Sequence, residues 1–460
     1  MKTIACFLLL LLPFVTFSQF SNSKLSPNSF TWKQVGDPLL GECSFPSLAF
    51  SPTGEPYLAY GYYSVGFSYE TTIVKKFDGY NWDFVGGFGF TTMAGAYISL
   101  VFNPSGEPWI TFSERTNDFF YEASVMKFNG NQWEYIGSPG FSDSCASFTN
   151  IAFNASGQPY VAYVDWGNSI QATVKKFDGN NWVNVGQQGF SAGEIDYMSL
   201  ALNSNGEPYV AFEDYSNSAR ISVMKYDGTA WNYVGNPGFS TASVHYTKIA
   251  FGPTNQPYVA FQDFGHEGKA TVMTFNGTDW VYVGQPGFTT GDAEYISLAL
   301  KSDGSPYISF SDPGASVMRY DGTNWEYVGS PGFSSSIVDN PSLAFDQSQT
   351  PHIAYINYSN GHAISVMKYD SVLVGVDNSR GNTTLSLYPN PANTKLTINF
   401  KNEVMEISHL EIFDLGGRKI FETNTLESKI TLDIEKFPHG IYFFKLRTSG
   451  SLYFERFCKN

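Results

Sequence analysis

Charge is scarce in this chain, and positive charge scarcest: 27 Lys and Arg stand against 42 Asp and Glu in 460 residues, a formal net charge of −15. Gripping phosphates takes clustered Lys and Arg, so nucleic acid is excluded as a partner. Cysteine is nearly missing. Cys6 lies in the N-terminal apolar run, Cys458 in the tail, and Cys43 and Cys145 fall in loops two repeats apart, so no disulfide framework is expected. Stability must then come from burial and strand pairing. The four histidines that precede the tail, His245, His266, His352 and His362, are scattered without metal-type spacing. No Gly-x-Ser-x-Gly elbow and no phosphate loop occurs. Long apolar runs are missing after the first twenty residues, so no transmembrane segment is expected in the mature chain.

The N-terminus is the exception. One lysine precedes the apolar run Ile4 to Phe17, too short to span a bilayer comfortably and of the kind that marks a secretory signal. Thr16 and Ser18 are small enough for the −3 and −1 places, which puts cleavage before Gln19 and a signal peptide over residues 1–18. The expected location is outside the cell, secreted or attached to the outer-membrane surface.

What the chain has in quantity is aromatic residues (17%), 43 glycines and 23 prolines. That mixture suits many short strands joined by tight turns. A phrase close to Asp-Gly-x-x-Trp-x-x-Val-Gly recurs with its tryptophan at 82, 133, 182, 231, 280 and 325, and Trp32-Lys-Gln-Val-Gly stands one period earlier. A second phrase, close to Gly-x-Pro-Tyr, recurs at Pro56, Pro108, Pro159, Pro208, Pro257 and Pro306, with a weaker copy at Pro351. A period near 50 residues holding several strands indicates propeller blades.

In one repeat, Asn150 to Phe153 reads as an inner strand and Pro159 opens a second, where proline costs no ladder bond. Ala172 to Phe177 alternates as a third strand, Asp178-Gly179 makes a turn suited to positive φ, and Trp182 to Val185 is the outer strand. The ends complement each other. Trp32 to Gly36 is an outer strand with no inner three, and the last repeat lacks its tryptophan. Pairing them closes a ring of seven blades over residues 29–371 and covers the edges. The expected fold class is all-β, a seven-bladed β-propeller followed by a small sandwich.

The repeat resembles kelch blades in register, with a Tyr-containing second strand, a third ending in Tyr/Phe-Asp and a Trp in the fourth. It lacks the paired glycines after the second strand, where Ala162-Tyr163 and Ala211-Phe212 stand. The turn is similar to the Asp-box of sialidases but one residue short, and Arg115, Arg220 and Arg319 occupy unlike places in their repeats, so no arginine triad forms. The tail resembles the type A C-terminal sorting domain of the Bacteroidetes type IX secretion system. The matching residues are Tyr388-Pro389-Asn390-Pro391, Leu396, Ile398, then Ile412 through Arg418, Leu432-Asp433, Gly440-Ile441-Tyr442 and the basic-aromatic ending from Arg456. The resemblance implies a small immunoglobulin-like β-sandwich over 385–460, recognised by the secretion machinery at the outer membrane. Residues 372–384 read as the linker.

Six residues after each repeat proline stand Tyr62, Glu114, Asp165, Asp214, Asp263, Asp312 and Asn357. Loops after the second strands share a face with the crossovers between blades. Five carboxylates there could ring the pore mouth and hold calcium or a polyhydroxylated ligand. The alternative is that Asp merely opens the turn. Trp166, Tyr215 and Phe264 follow the acid directly and vary between blades, which makes them candidates to stack on sugar. The crossover phenylalanines, Phe90 to Phe333, recur too regularly for that and read as plugs between blades. No cofactor motif beyond the calcium reading is present. The expected function is a binding module for a glycan or a surface protein, with an extracellular polysaccharide hydrolase or lyase as the alternative; no blade shows a compact catalytic cluster.

Overall fold

The computed structural model describes residues 29–63, 70–91, 95–115, 121–334, 336–372, 384–401, 407–414, 418–424, 429–448 and 452–460. The signal peptide, most of the linker and Leu415-Gly416-Gly417 of the tail motif lie outside them. Two compact units are present, one over Phe30–Asp370 and one that includes Ser371–Asn460.

The first unit is seven four-stranded antiparallel sheets, each a blade. In blade 3 the strands are Ala146–Phe153, Pro159–Asp165, Gln171–Phe177 and Trp182–Asn184, paired in that order. The inner strand therefore starts four residues before the apolar run suggested. The Asp178 turn spans four residues: the Asp178 carboxylate accepts from the amides of Asn180 (2.9 Å) and Asn181 (2.8 Å). Only Gly179 there has positive φ. Blade 7 is closed as expected, with Ser29–Gln34 as the outer strand beside Ala363–Val372.

The repeated phrase is a seam between blades. Each tryptophan indole donates to a carbonyl of the preceding blade, from Trp82 to Val35 (2.9 Å) round to Trp32 to Val328 (2.7 Å). The intermediate seams repeat it at 2.7–2.8 Å. The glycine after that valine takes positive φ because the indole of the next blade needs its space: a Cβ on Gly86 would lie 2.6 Å from Trp133 Cδ1. The crossover phenylalanines complete the seam, as in Phe190 on Trp231, 4.0 Å apart and 4° from parallel. The core likewise sits between blades. Val164 and Ala172 of blade 3, for example, are buried with Ile195, Val210 and Phe212 of blade 4.

The second unit is a sandwich of a three-stranded and a four-stranded sheet. Leu396, Ile398 and Leu432 of one sheet bury against Leu410, Ile412, Phe444 and Phe457 of the other.

Candidate functional site

The upper face of the propeller is the one where second strands end and inner strands begin. Here the acids of the repeat are inside the protein. Asp165, Asp214, Asp263 and Glu114 are at most 3% exposed. Asp165 accepts from the Gly167 amide (3.1 Å), Asn168 (2.9 Å), Thr173 (2.9 Å) and Gln188 (3.0 Å). Asp214 takes the Ser216 amide (3.0 Å), Asn217 (2.8 Å) and Ser222 (2.7 Å). Asp263 takes the Gly265 amide, His266 and Thr271, each at 2.9 Å. Glu114 accepts from Ser124 and from the Tyr135 hydroxyl. These oxygens cap a short 3-10 turn or tie a loop to its own blade. Asn357 caps the equivalent turn of blade 7 through the Ser359 amide (3.0 Å), so the place selects a side-chain acceptor, with or without charge. Asp312 is half-buried. In its blade only Pro313 separates the second and third strands, which accounts for the shortened spacing before Trp325.

Each capped turn lifts the next residue into solvent. Trp166 is 54% exposed, Tyr215 47%, Phe264 44% and Tyr358 47%. Three of them lean on the start of their own inner strand: the Trp166 indole donates to Ser147 (3.1 Å), Phe264 packs edge-on to His245 (4.8 Å) and the Tyr358 hydroxyl donates to Asp339 (3.0 Å). The turn fixes both the height and the direction of the ring.

Inside these rings runs a second circle that sequence reasoning missed. Phe45, Tyr97, Phe148, Tyr197, Tyr246, Tyr295 and Asn340 occupy one equivalent place per blade, all at φ between 46° and 53°. Bulky side chains rarely adopt that region, and each sits where the pairing of inner and second strands slips by a residue. The slip turns the ring into the mouth of the central lumen, and neighbouring rings touch at 4.7–5.3 Å from Phe45 round to Tyr295. Strain repeated at one place in seven blades marks a site the fold is built to hold. The lumen below has a volume of about 520 Å³.

The residue before this collar differs by blade: Ser44, Ala96, Ser147, Asp196, His245, Glu294 and Asp339. Blades 1–3 thus enclose an apolar trough of about 460 Å³ lined by Tyr62, Tyr63, Tyr121 and Trp166, with no charged residue among the described ones that line it. Blades 4 and 5 instead bring ionisable groups together. Asp196 pairs across the strands with Glu213, and His245 Nε2 lies 3.9 Å from the Glu213 carboxylate. Glu213 is 2% exposed and its Oε2 has no hydrogen-bond partner among the described residues. Burial, with Asp196 beside it, pushes the Glu213 carboxyl up to about 8. Burial also raises Asp196 and lowers His245, and burial and Glu213 lift Tyr215 to about 12. At neutral pH the group therefore holds a protonated carboxyl next to a neutral imidazole, a pairing able to give and take protons.

The structure thus brings together Glu213 and His245, which no spacing linked, and adds Asp196. The signal that could have found them is the residue three places before each inner-strand apolar run. In the tail, His409, Glu411 and Glu422 stand close enough to share a cation. Lys419 and Lys445, each 3.2 Å from Glu411, already neutralise that carboxylate.

Residues 386–460 match the family described as "Secretion system C-terminal sorting domain". The tail is a type IX sorting domain, and the chain is secreted or attached at the cell surface. No helix among the described residues is long and apolar enough to cross a membrane. No curated protein matches the chain. Among solved structures, it is similar to a protein of unknown function from Dyadobacter fermentans (12% identity, 74% of this chain and 99% of that one, TM-score 0.44). It is also similar to the GH93 α-L-arabinofuranosidase of Fusarium graminearum (11%, 74% and 98%, 0.44) and to a PL25 ulvan lyase (11%, 72% and 94%, 0.48).

Proposed function

We propose that the protein is an exported binding module whose upper face takes carbohydrate. The observation that supports it most is the set of four solvent-facing aromatic rings, Trp166, Tyr215, Phe264 and Tyr358, each held at one height by a capped turn. Rigid rings around a concave mouth offer flat apolar faces to sugar rings and fixed polar atoms to their hydroxyls. Asp165, Asp214, Asp263 and Asn357 act in this reading by holding those loops, while Glu114 and Asp312 belong to blades without such a ring. The test is a polysaccharide panel titrated against the full exported chain, with and without a calcium chelator. Binding that survives the chelator and drops at least about tenfold in Trp166→Ala, about 1.4 kcal/mol, is the expected result. Binding that vanishes with chelator would instead make calcium part of the site.

A second reading, a polysaccharide hydrolase or lyase, is favoured by one observation: the buried, proton-holding Glu213 beside His245 and Asp196. Glu213 would donate its proton to the leaving glycosidic oxygen as the C–O bond breaks. Asp196 or His245 would take a proton from the attacking water, or from the sugar carbon in an elimination. Glu213→Gln should then remove cleavage by a factor of about 10² or more while the polysaccharide still binds. Equal new-end formation by both proteins would end this reading.

A further inference from the structure

Two places after the collar residue, the inner strands carry Ser47, Ser99, Asn150, Ser199, Lys248, Ser297 and Ser342, and all of these but Ser199 line the lumen. The serine has a structural task. Its oxygen accepts the backbone amide of the next blade, as in Ser47 with Leu100 (2.9 Å), Ser342 with Leu48 (3.0 Å), and Ser199 with Ile249 (3.2 Å). Asn150 serves the same seam differently, donating to the Met198 carbonyl at 3.1 Å.

Lys248 cannot do this, because an ammonium group only donates. It breaks the repeat at a place where the repeat has a clear use, and its side chain lines the lumen. The Lys248 ammonium forms no hydrogen bond or ion pair among the described residues. The carboxylate of the lumen wall, Asp339, is already engaged by Asn340 (2.8 Å) and Tyr358 (3.0 Å). Serines that accept an amide keep their own hydroxyl hydrogen to donate. Around Lys248 the lumen is therefore rich in donors and holds one cation without an acid beside it. Such a lining suits an oxyanion.

We propose that the lumen binds an anionic group of the ligand, a carboxylate or a sulfate ester, on Lys248. This rests on the carbohydrate reading of the upper face and sharpens it: the substrate class becomes acidic polysaccharide, with sugar rings on the exposed aromatic residues of the upper face and one charged substituent directed through the collar into the pore. Burial holds the Lys248 ammonium below the ordinary lysine range, in keeping with a site whose counter-ion arrives with the ligand.

The experiment uses the full exported chain and three proteins: the parent, Lys248→Ser and Lys248→Arg. The serine variant restores the residue of five of the other six blades and is expected to fold, which a melting curve checks. Oligogalacturonate is compared with its carboxyl-reduced form, and sulfated carrageenan oligomers with their desulfated form; the pair that discriminates names the anion. The expected result is binding at least tenfold tighter for one charged oligomer than for its neutral counterpart, lost in Lys248→Ser and kept in Lys248→Arg. Equal binding of charged and neutral forms, or parent-like binding by Lys248→Ser, overturns the inference. A separate arm tests the anion without sugar, as protection of Lys248 from acetylation by inorganic sulfate, read by mass spectrometry. Protection with no oligomer binding keeps the anion site and removes the carbohydrate reading. If no oligomer binds and sulfate gives no protection, both fall.

Discussion

Blades 1–3 and blades 4–5 are built from one repeat, yet their upper rims differ. The first three carry Ser44, Ala96 and Ser147 before the collar and enclose an apolar trough around Tyr62, Tyr121 and Trp166. The next two carry Asp196 and His245 there, with Glu213 behind them and Lys248 below. What stays constant across all five is the indole-to-carbonyl bond of the seams; a phenylalanine stacks on the indole in blades 2–5, and an acceptor caps a short turn in blades 3–5. What varies is the set of places that no seam uses. In a repeat protein the uniform positions hold the ring, and the departures show where it meets something else.

The sharpest way to break this comparison is to exchange a constant place for a variable one. Asp165→Ala leaves Thr173, Asn168 and the Gly167 amide without their acceptor, and it should destabilise by about 2–4 kcal/mol, read as a lowered denaturation midpoint. Trp166→Ala, one residue on, should leave the midpoint unchanged within about 0.5 kcal/mol. Equal losses would dissolve the division between scaffold and face.

The second test is pH. The Glu213 carboxyl is raised from an ordinary 4.5 to about 8, so between those values the folded state holds a proton that the unfolded chain has released. Its contribution is fully present below pH 4.5 and declines as pH rises toward 8, by on the order of 2–4 kcal/mol. Glu213→Gln should flatten that slope, seen in unfolding curves at pH 5 and pH 8. A variant that keeps the slope would place the proton elsewhere.

A smaller effect separates the seams themselves. Trp231→Phe keeps part of the stack on Phe190 but loses the 2.7 Å bond to Val185 and some buried ring surface, so it should cost about 1–3 kcal/mol. Asp178→Asn, on the exposed turn, should change stability by no more than about 0.5 kcal/mol, since asparagine keeps the acceptor for both amides.

The fold was legible because its signals are local and repeated. Trp and Pro at a period near 50 gave the blades, and the orphan Trp32 gave the closure. The capped turns were legible too, since Asp165-Trp166-Gly167-Asn168 reads as turn chemistry whatever surrounds it. The collar was not. Phe148 stands outside the apolar alternation from Asn150, and nothing in an aromatic residue announces positive φ, which it adopts only because the strand slips at that point. The Asp196–Glu213–His245 group was hidden for the same reason: the register past the slip sets Asp196 opposite Glu213, and His245 arrives from the next blade. Lys248 was visible as a residue, but its meaning depends on knowing what the serines of the other blades do.

Sugar binding by the exposed rings of the upper face is what the whole assignment turns on. The most direct measurement is calorimetric titration of pectic and algal polysaccharides into the full exported chain and into a variant with Trp166, Tyr215 and Phe264 all changed to Ala. Binding by the parent chain should be lost in the variant while its melting temperature stays the same. Binding of undiminished strength by a variant without those rings would contradict it.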